Sequence, residues 1–480
     1  MTVSYNRIDD FRIRVPRHGN MRTDALVYLN RHLEKQLQKE KSLAQVCNVA
    51  CLPGIVGPSL AMPDIHPGYG FPIGGVAAFA VDGGVVSPGG VGYDINCGVR
   101  VLVSAMEAKA LHPRMERLIQ TIAENVPAGV GSRRADLKLS KKDMKQVLRA
   151  GAGWALDQGF ATERDVQCIE NNGCLPCETD ILPSQRAMER GYNQLGTLGS
   201  GNHFIEVGCV DEIYDTQAAR AMGFLRPDQV TVSIHSGSRG LGHQVCTDSL
   251  ASMVQAVRKY AIPIPDRQLS CAYIQSAEGQ AYLALMAQAA NFAFVNRQLM
   301  TYWVRQSFAD VFSAAGEERL SLVYDVCHNI AKIETHHIAG RDMEVCVHRK
   351  GATRAFGPGD RRVPGMYRSI GQPVLIPGDM GRYSYVLAGT RKAMTHTFGS
   401  TCHGAGRLMS RHQAVKQMKG HDIKAELRAR GIIVRASGRR TLMEEFPGAY
   451  KDVSQVIETV HGAGISRPVV RLRPLGVVKG

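Results

Sequence analysis

Strand-like and helix-like segments alternate along the whole chain with no linker between them, and this alternation most limits the fold. β-branched runs between Gly and Pro predict strands and tight turns over 51–104. Apolar spacing then predicts helices over 106–195 and a strand over 229–235, and an Ala-rich run with aromatic residues predicts a helix over 279–312. A strand over 320–326 and strands with Gly-rich loops up to 410 follow. Because the blocks interleave and no repeat or Pro/Ser-rich linker separates them, the pattern argues against separable halves. We expect one large mixed domain of the α+β (mixed α/β) class over residues 1–480, with central β-sheets, flanking helices and Gly-rich active-site loops.

Four further segments carry weaker patterns. Leucines spaced by three and four residues from Leu26 to Leu37 predict an amphipathic N-terminal helix. A basic helix is expected over 411–430, followed by a C-terminal tail that ends in residues 471–480. The polar stretch 163–183 indicates an insertion or flexible loop.

Composition limits the cellular location and the binding partners that can be expected. The net charge of +15 suits an anionic partner such as nucleic acid, although many basic proteins bind none. No apolar run is long enough to cross a membrane and the N-terminus has no apolar signal core, so we expect a cytoplasmic protein without membrane contact. Twelve dispersed cysteines indicate buried thiols or metal ligands, not a disulfide scaffold.

Residues of the types that commonly bind metal ions recur where predicted strands meet glycine turns. Asp94 and Cys97 lie three residues apart after a Gly-rich turn, and His203, His235 and His328 stand at other strand ends. One carboxylate, one thiol and three imidazoles suit a borderline divalent ion such as zinc or manganese, or two ions if the thiolate bridges them. Each residue alone also fits a structural role, as a hydrogen-bonded histidine or a small buried cysteine.

Two other motifs have open interpretations. The turn 400–407 (STCHGAGR) sets His403 among glycines, where the backbone can approach a phosphate and a neutral imidazole nitrogen can attack phosphorus. Alternatively, those glycines cap a helix and His403 is incidental. The pair Cys174 and Cys177 lacks a second pair at zinc-finger spacing, so we expect free thiols in a loop.

Long strings of the chain resemble the RtcB family of RNA ligases, in the archaeal and eukaryotic form of the tRNA-splicing enzyme. They include residues 48–56 (NVACLPGIV), 62–70 (MPDIHPGYG) and 87–100 (SPGGVGYDINCGVR), and the similarity covers nearly the whole chain. The resemblance implies a GTP- and manganese-dependent enzyme that joins RNA 2′,3′-cyclic phosphate or 3′-phosphate ends to 5′-hydroxyl ends, in tRNA splicing or RNA repair. It also implies a guanylylated histidine and an RNA 3′-guanylate as intermediates, tRNA halves as substrates, and an archease-type activator as a further partner.

The resemblance also assigns roles to residues. His403 would be the nucleophile that takes GMP from GTP, and Cys97 would be shared between two Mn²⁺ ions. The implied metal ligands are Asp94, Cys97, His203, His235 and His328. The implied nucleotide-binding residues are Asn202, Phe204, Glu206, His328, Asn329, Pro377, Gly378, Asp379, Met380, Ser384, His403, Gly404, Ala405, Gly406, Tyr450 and Lys479. Arg239 and Arg407 are expected to bind RNA phosphate.

One departure from the family pattern concerns Asp379, where Ser or Thr is usual. A carboxylate facing a triphosphate would repel it unless it met a cation, such as Arg382, or pointed away. Two alternatives to a ligase stay open at this point. One is a binuclear metal-dependent phosphoesterase acting on RNA ends, and the other is a non-catalytic RNA-binding protein.

Overall fold

A computed structural model describes residues 3–37, 41–134, 136–137, 139–177, 179–312 and 320–480. The strands are β1 Asn6–Asp9, β2 Arg12–Val15, β3 Ala25–Tyr28, β4 Ile55–His66, β5 Ile73–Ala80, β6 Val85–Val86, β7 Gly98–Glu107, β8 Phe204–Ile213, β9 Gln229–Ser236, β10 Ala272–Tyr273, β11 Ser321–Cys327, β12 Asn329–Ile338, β13 Arg341–Lys350, β14 Ala352–Arg354, β15 Pro373–Ile376, β16 Ser384–Gly389, β17 Ser400–Cys402, β18 Ile433–Ala436 and β19 Ser466–Lys479.

The helices flank these strands. They are α1 Arg31–Leu37, α2 Ser42–Val49, α3 Ala108–Leu111, α4 Met115–Asn125, α5 Lys141–Ala150, α6 Ala152–Asp157, α7 Glu163–Gln167, α8 Gln185–Gly191, α9 Thr216–Ala221, α10 Arg239–Lys259, α11 Ala277–Phe312, α12 Arg391–His396, α13 Arg411–Gln417, α14 Ile423–Ala429, α15 Arg439–Glu444 and α16 Val453–Gly462. The expected mixed α+β class is confirmed, while the assignment of the whole chain to one domain stays a prediction.

Two large sheets organise the fold. The first has the order β1-β2-β3-β4-β5-β13-β12, and the second has β11-β7-β9-β8-β19-β16-β15 with β18 paired in parallel to β19. The largest apolar core gathers around α11, a helix buried over most of its circumference. The predicted strands over 229–235 and 320–326 and the predicted helix over 279–312 are confirmed as β9, β11 and α11.

The weaker terminal predictions were partly wrong. Leu26 lies in strand β3 and only Leu33 and Leu37 belong to α1, because pairing with β2 and β4 outweighs the helical spacing of the leucines. The basic helix over 411–430 is two short helices, α13 and α14, separated at Gly420, which has a positive φ of 92°. The supposed C-terminal tail is β19, a strand in the middle of the second sheet between β8 and β16.

The polar stretch 163–183 is also different from the expectation of an insertion or loop. It contains α7 and a 3₁₀ turn over Glu170–Gly173. Both oxygens of the Asp165 carboxylate accept hydrogen bonds from Arg305 at 2.7 Å, and buried Glu170 pairs with Lys332 at 2.7 Å. Two charged residues of this segment, Asp165 and Glu170, therefore form buried ion pairs. No helix among the described residues is long and apolar enough to cross a membrane.

Candidate active site

Neighbouring strands of the second sheet end at one place, where the sequence-predicted metal ligands meet. Asp94 and Cys97 precede β7, His203 precedes β8, His235 is near the end of β9, and His328 follows β11. Antiparallel pairing of β9 with both β7 and β8, and of β7 with β11, brings these ends side by side. The sheet register thus collects five residues that are far apart in the chain.

The donor atoms of these side chains face one another at short range. Cys97 Sγ lies 3.3 Å from Nε2 of both His203 and His235. Nε2 of His235 is 3.3 Å from Nε2 of His328, and His203 Nε2 is 2.8 Å from Asp94 Oδ2. Two triads result, Asp94–Cys97–His203 and Cys97–His235–His328, each with its donor atoms within 4.8 Å of one another. Cys97 belongs to both triads, as expected of a bridging ligand.

The chemistry of this cluster fits a divalent cation. His203 Nδ1 lies 3.0 Å from the Leu198 carbonyl oxygen, which fixes the tautomer and leaves the Nε2 lone pair for a ligand. Burial lowers the pKa of His235 and of His328 well below the ordinary value, so both imidazoles are neutral. Burial opposes ionisation of Asp94, but the neighbouring His203 outweighs it and lowers the pKa of Asp94 to about 2. Neutral imidazoles and a carboxylate are suitable partners for a thiolate in a metal site.

A buried arginine on α11 holds the strand ends in place. Arg297 pairs with Asp325 of β11 at 2.8 Å and donates to the backbone oxygens of Asn96 and Ser236. Arg100 of β7 also pairs with Asp325, at 2.9 Å. These groups are fully buried, so removal of one partner would leave an uncompensated charge. No sequence pattern pointed to Arg297, because nothing in a long helix that is apolar on most sides indicates which residue faces the sheet.

His403 lies beside this cluster and is held by a buried carboxylate. Asp64 Oδ2 is 2.6 Å from His403 Nδ1 and accepts hydrogen bonds from the backbone N–H groups of His403 and Gly404, at 3.0 and 3.3 Å. Nδ1 therefore carries the proton, and Nε2 keeps its lone pair. Gly406 has a φ of 75°, and a Cβ there would overlap the Asp64 backbone, so only glycine allows this approach.

One cavity of about 240 Å³ joins the metal-ligand cluster to His403. The rings of His328 and His403 are 4.8 Å apart, centre to centre. All sixteen residues that the resemblance assigned to the nucleotide line this cavity, together with Asp94, Cys97 and His235 of the ligand set. His203 does not line the cavity, although it contacts Cys97. Lining residues that sequence reasoning missed are His66, Ile73, Gly351, Arg411, Glu445 and Val477.

Lys479 reaches the cavity because β19 runs through the centre of the sheet. Its partner in the register with β8 is Phe204, and its Nζ lies 5.5 Å from the centre of the Phe204 ring. Burial lowers the pKa of Lys479, while Glu445, whose Oε2 is 3.5 Å from Nζ, opposes that shift. The Lys479 ammonium, which lines the cavity, is thus held by strand β19 and by an ion pair with Glu445.

Asp379 and Glu206 bring two carboxyl groups into the same cavity. Burial raises the pKa of Glu206 to about 8, and the nearby Asp379 adds to this shift. Burial also raises the pKa of Asp379 to about 6, although Arg382 opposes it. Asp379 Oδ2 lies 3.3 Å from Arg382 Nε, and its Oδ1 accepts from the Gly381 N–H at 2.9 Å. The cation expected to meet this carboxylate is therefore Arg382.

The two arginines predicted to bind RNA phosphate differ in their surroundings. Arg239 Nε lies 3.3 Å from the hydroxyl of Thr197, and its Nη2 lies 3.4 Å from the hydroxyl of Ser132. Arg239 is the first residue of α10 and has a positive φ of 55°. Arg407 is paired with Glu445 at 3.1 Å, so part of its charge is already compensated. The phosphate-binding role of both residues stays a prediction.

Cys174 and Cys177 lie outside the site. Both are free thiols, as expected, and donate to the backbone oxygens of Arg149 and Leu148 at 3.3 and 3.4 Å. Burial raises the pKa of each thiol. The described residues show no metal-ligand cluster around this pair.

Comparison with known proteins assigns the class. Residues 45–480 match the family model described as tRNA-splicing ligase RtcB. The chain is 51% identical over 477 residues to the tRNA-splicing ligase RtcB of Archaeoglobus fulgidus, covering 99% of this chain and 98% of the relative. It is 50% identical over 480 residues to that of Thermococcus kodakarensis, covering 100% and 99%. It is 52% identical over 438 residues to the RNA-splicing ligase RtcB of Mycobacterium bovis, covering 91% and 100%.

These matches define an RNA ligase, which confirms the enzyme class expected from the sequence. The chain belongs to the RtcB family. The candidate site accounts for two of the strings that carried the resemblance, since residues 62–70 and 87–100 supply Asp64, Asp94 and Cys97, and the turn 400–407 supplies His403.

Proposed function

We propose that this RtcB-family enzyme is a GTP- and Mn²⁺-dependent ligase that joins RNA 2′,3′-cyclic phosphate or 3′-phosphate ends to 5′-hydroxyl ends. The observation that carries the proposal is the Asp64–His403 pair, which leaves Nε2 as the free nitrogen in a cavity shared with the thiol–imidazole cluster. The natural substrates would be tRNA halves, since the relatives from Archaeoglobus fulgidus and Thermococcus kodakarensis are named tRNA-splicing ligases. Twelve free thiols suit the reducing cytoplasm as the place of action.

Two divalent cations would be held by Asp94, Cys97 and His203 and by Cys97, His235 and His328. When bound, they supply positive charge that neutralises phosphate groups and lowers the pKa of a bound water. The protein brings together five donor side chains from the ends of separate strands, and the Leu198 carbonyl fixes the His203 tautomer. Manganese is the metal implied by the family, and the donor set also suits zinc.

The chemistry assigned to His403 is a nucleotidyl transfer. Its Nε2 attacks the α-phosphorus of GTP, the bond from that phosphorus to the bridging oxygen breaks, and pyrophosphate leaves. The Nδ1 proton remains on His403, where the Asp64 carboxylate stabilises the positive charge that develops on the ring. A 2′,3′-cyclic phosphate end is first opened by water, which breaks the bond from its phosphorus to the 2′ oxygen and leaves a 3′-phosphate. GMP then passes to an oxygen of the RNA 3′-phosphate, and the bond between the GMP phosphorus and Nε2 breaks. Finally the 5′-hydroxyl oxygen loses its proton and attacks the phosphorus of the RNA 3′-phosphate, and GMP is the leaving group.

The nucleotide would lie along residues from three parts of the chain. Glu206 and Lys479 offer a carboxyl group and an ammonium to the cavity, whereas Gly404 and Gly406 let the backbone approach the phosphates near His403. Asn202 and Tyr450 add polar groups to the wall. This arrangement supports nucleotide binding without a P-loop, a motif that the sequence lacks.

The test is labelling with α-labelled GTP and Mn²⁺, followed by joining of a 3′-phosphate RNA to a 5′-hydroxyl RNA. We expect an acid-labile protein adduct that disappears in His403→Ala and persists in the matched control His421→Ala, an exposed histidine paired with Glu426. Equal labelling of His403→Ala would contradict the assignment of the nucleophile. Opening of the cyclic phosphate without labelling or joining would favour a phosphoesterase, and metal-free protein that still binds RNA fully would favour a binding protein. Turnover with and without an archease-type protein tests the proposed activator.

A further inference from the structure

A wide groove opens beside the nucleotide cavity. Its volume is about 1010 Å³, against about 240 Å³ for the cavity. The two spaces share four lining residues, His66, Ile73, Arg407 and Arg411. A chain molecule lying in the groove could therefore place its end in the cavity that contains His403.

One side of this groove is formed by the N-terminal part of the chain. We call His32, Lys35, Gln36 and Lys41 the N-terminal wall. The rest of the lining comes from residues 66–68, Ile73, 407–411 and Gln413. The family match begins only at residue 45, so the wall lies outside the part of the chain that the family model covers.

The groove lining is basic. The N-terminal wall contributes Lys35 and Lys41, both exposed, and the rest of the lining contributes Arg407 and Arg411. No described residue that lines the groove is Asp or Glu. The two arginines are partly compensated, Arg407 by Glu445 at 3.1 Å and Arg411 by Glu445 at 3.5 Å and Glu444 at 3.9 Å, so the uncompensated charge comes mainly from the two lysines. A groove with this charge attracts a polyanion.

The N-terminal wall is firmly attached to the rest of the fold. Leu33 and Leu37 of α1 are buried in the core of the first sheet. Asn30, just before the helix, donates from Nδ2 to Gln455 Oε1 of α16 at 3.0 Å. Glu34 pairs with Arg7, so the one described carboxylate of α1 is engaged away from the groove lining. Lys35 is therefore presented by a supported helix, and Lys41 directly precedes α2.

We propose that the N-terminal wall binds the phosphate backbone of one of the two RNA strands, next to the end that reacts in the His403 cavity. This inference rests on the proposed function, because it assumes that RNA ends reach that cavity. The wall supplies charge along the strand and no base-specific contact, so the binding should not depend on RNA sequence. It extends the binding surface beyond the nucleotide cavity itself.

The experiment compares two double variants of the full-length protein without GTP. Lys35→Ala/Lys41→Ala removes both lysines of the wall, and Lys141→Ala/Lys145→Ala removes two exposed lysines of α5 that do not line the groove. Affinity for a labelled single-stranded RNA with a 3′-phosphate, and for one with a 5′-hydroxyl, is measured by fluorescence anisotropy from low to high salt. The arginine variant Lys35→Arg/Lys41→Arg keeps the charge.

Two lost phosphate contacts should lower the slope of log affinity against log salt by about 1.4, at about 0.7 per contact for single strands. If the affinities converge near 1 M salt, the same slope corresponds to a loss of about 25-fold at 0.1 M. We expect this loss for at least one of the two RNAs, little change in the α5 control, and near wild-type binding in the arginine variant.

Unchanged salt slopes for both RNAs in the wall variant would overturn the proposal, as would an equal loss in the α5 control. Labelling of His403 by GTP, measured on the wild type, reports separately on the proposed function. If the wild type fails to label, the ligase mechanism is wrong. If it labels and the wall variant binds both RNAs normally, only the groove assignment is wrong.

Discussion

Substitution of Asp64 tests how the carboxylate activates His403. Asp64 Oδ2 receives three donors, two of them backbone N–H groups that cannot reverse their polarity. In Asp64→Asn the amide must therefore turn its oxygen toward these donors, and its NH₂ group occupies the position of Oδ1, a buried atom without a hydrogen-bond partner. His403 keeps its tautomer and loses only the negative charge beside Nδ1.

The size of the effect follows from this geometry. A hydrogen bond to a charged group contributes about 1.5–3 kcal/mol and a neutral one about 0.5–1.5 kcal/mol, so the rate of guanylylation should fall by about 1–2 kcal/mol, or about 5- to 30-fold. The unpartnered NH₂ group should lower the free energy of unfolding by about 1–3 kcal/mol. Asp64→Ala removes the acceptor altogether, frees the imidazole to adopt the wrong tautomer, and should slow the reaction by about 10³-fold or more.

The assay is single-turnover labelling with α-labelled GTP, with chemical denaturation of each variant to separate stability from rate. Asp342→Asn is the matched control, since Asp342 pairs with His337 at 3.0 Å but both side chains are exposed. It should label at the wild-type rate. Wild-type labelling by Asp64→Asn would refute the role of the charge, and equal rates for the Asn and Ala variants would refute the role of the hydrogen bonds in orienting the ring.

Three further outcomes are expected. Cys97→Ala should lose more than tenfold in affinity for both metal ions and lose ligation, because both donor triads include Cys97. Metal content is measured by elemental analysis, with Cys209→Ala as the control. A normal metal content in Cys97→Ala would contradict the bridging role. Asp379→Ser should leave or raise GTP affinity. The folded-state pKa of Asp379, about 6, lies above its ordinary value of 3.8. The wild type should therefore lose up to about 3 kcal/mol of unfolding free energy relative to this variant as the pH rises from 4 to above 6. Equal pH profiles of the two proteins in urea denaturation would contradict the raised pKa. Gly406→Ala should destabilise the protein by about 2 kcal/mol or more and abolish labelling, because its Cβ overlaps the Asp64 backbone; a wild-type melting temperature would argue against this.

The sequence predicted the long elements well and the ends of the chain poorly. Strand β9 was predictable from its alternating apolar residues, and helix α11 from its long Ala-rich run. The leucines near the N-terminus fit a helix by spacing, yet Leu26 is in a strand because two neighbouring strands pair with that segment. Likewise, the segment that forms β19 was predicted to be a tail, because its central position depends on pairing with β8 and β16, which are distant in the chain.

The sequence by itself determined the family, the candidate ligands and the candidate nucleophile, because these are residue types in long specific strings. Only the tertiary structure decided that Asp64 holds His403, that Arg297 ties the strand ends together, and that the N-terminal wall borders a groove at the site. These three relations join residues that are hundreds of positions apart or belong to different sheets. Local periodicity carries no information about such contacts, since strand register and helix packing, not spacing along the chain, bring the atoms within hydrogen-bonding distance.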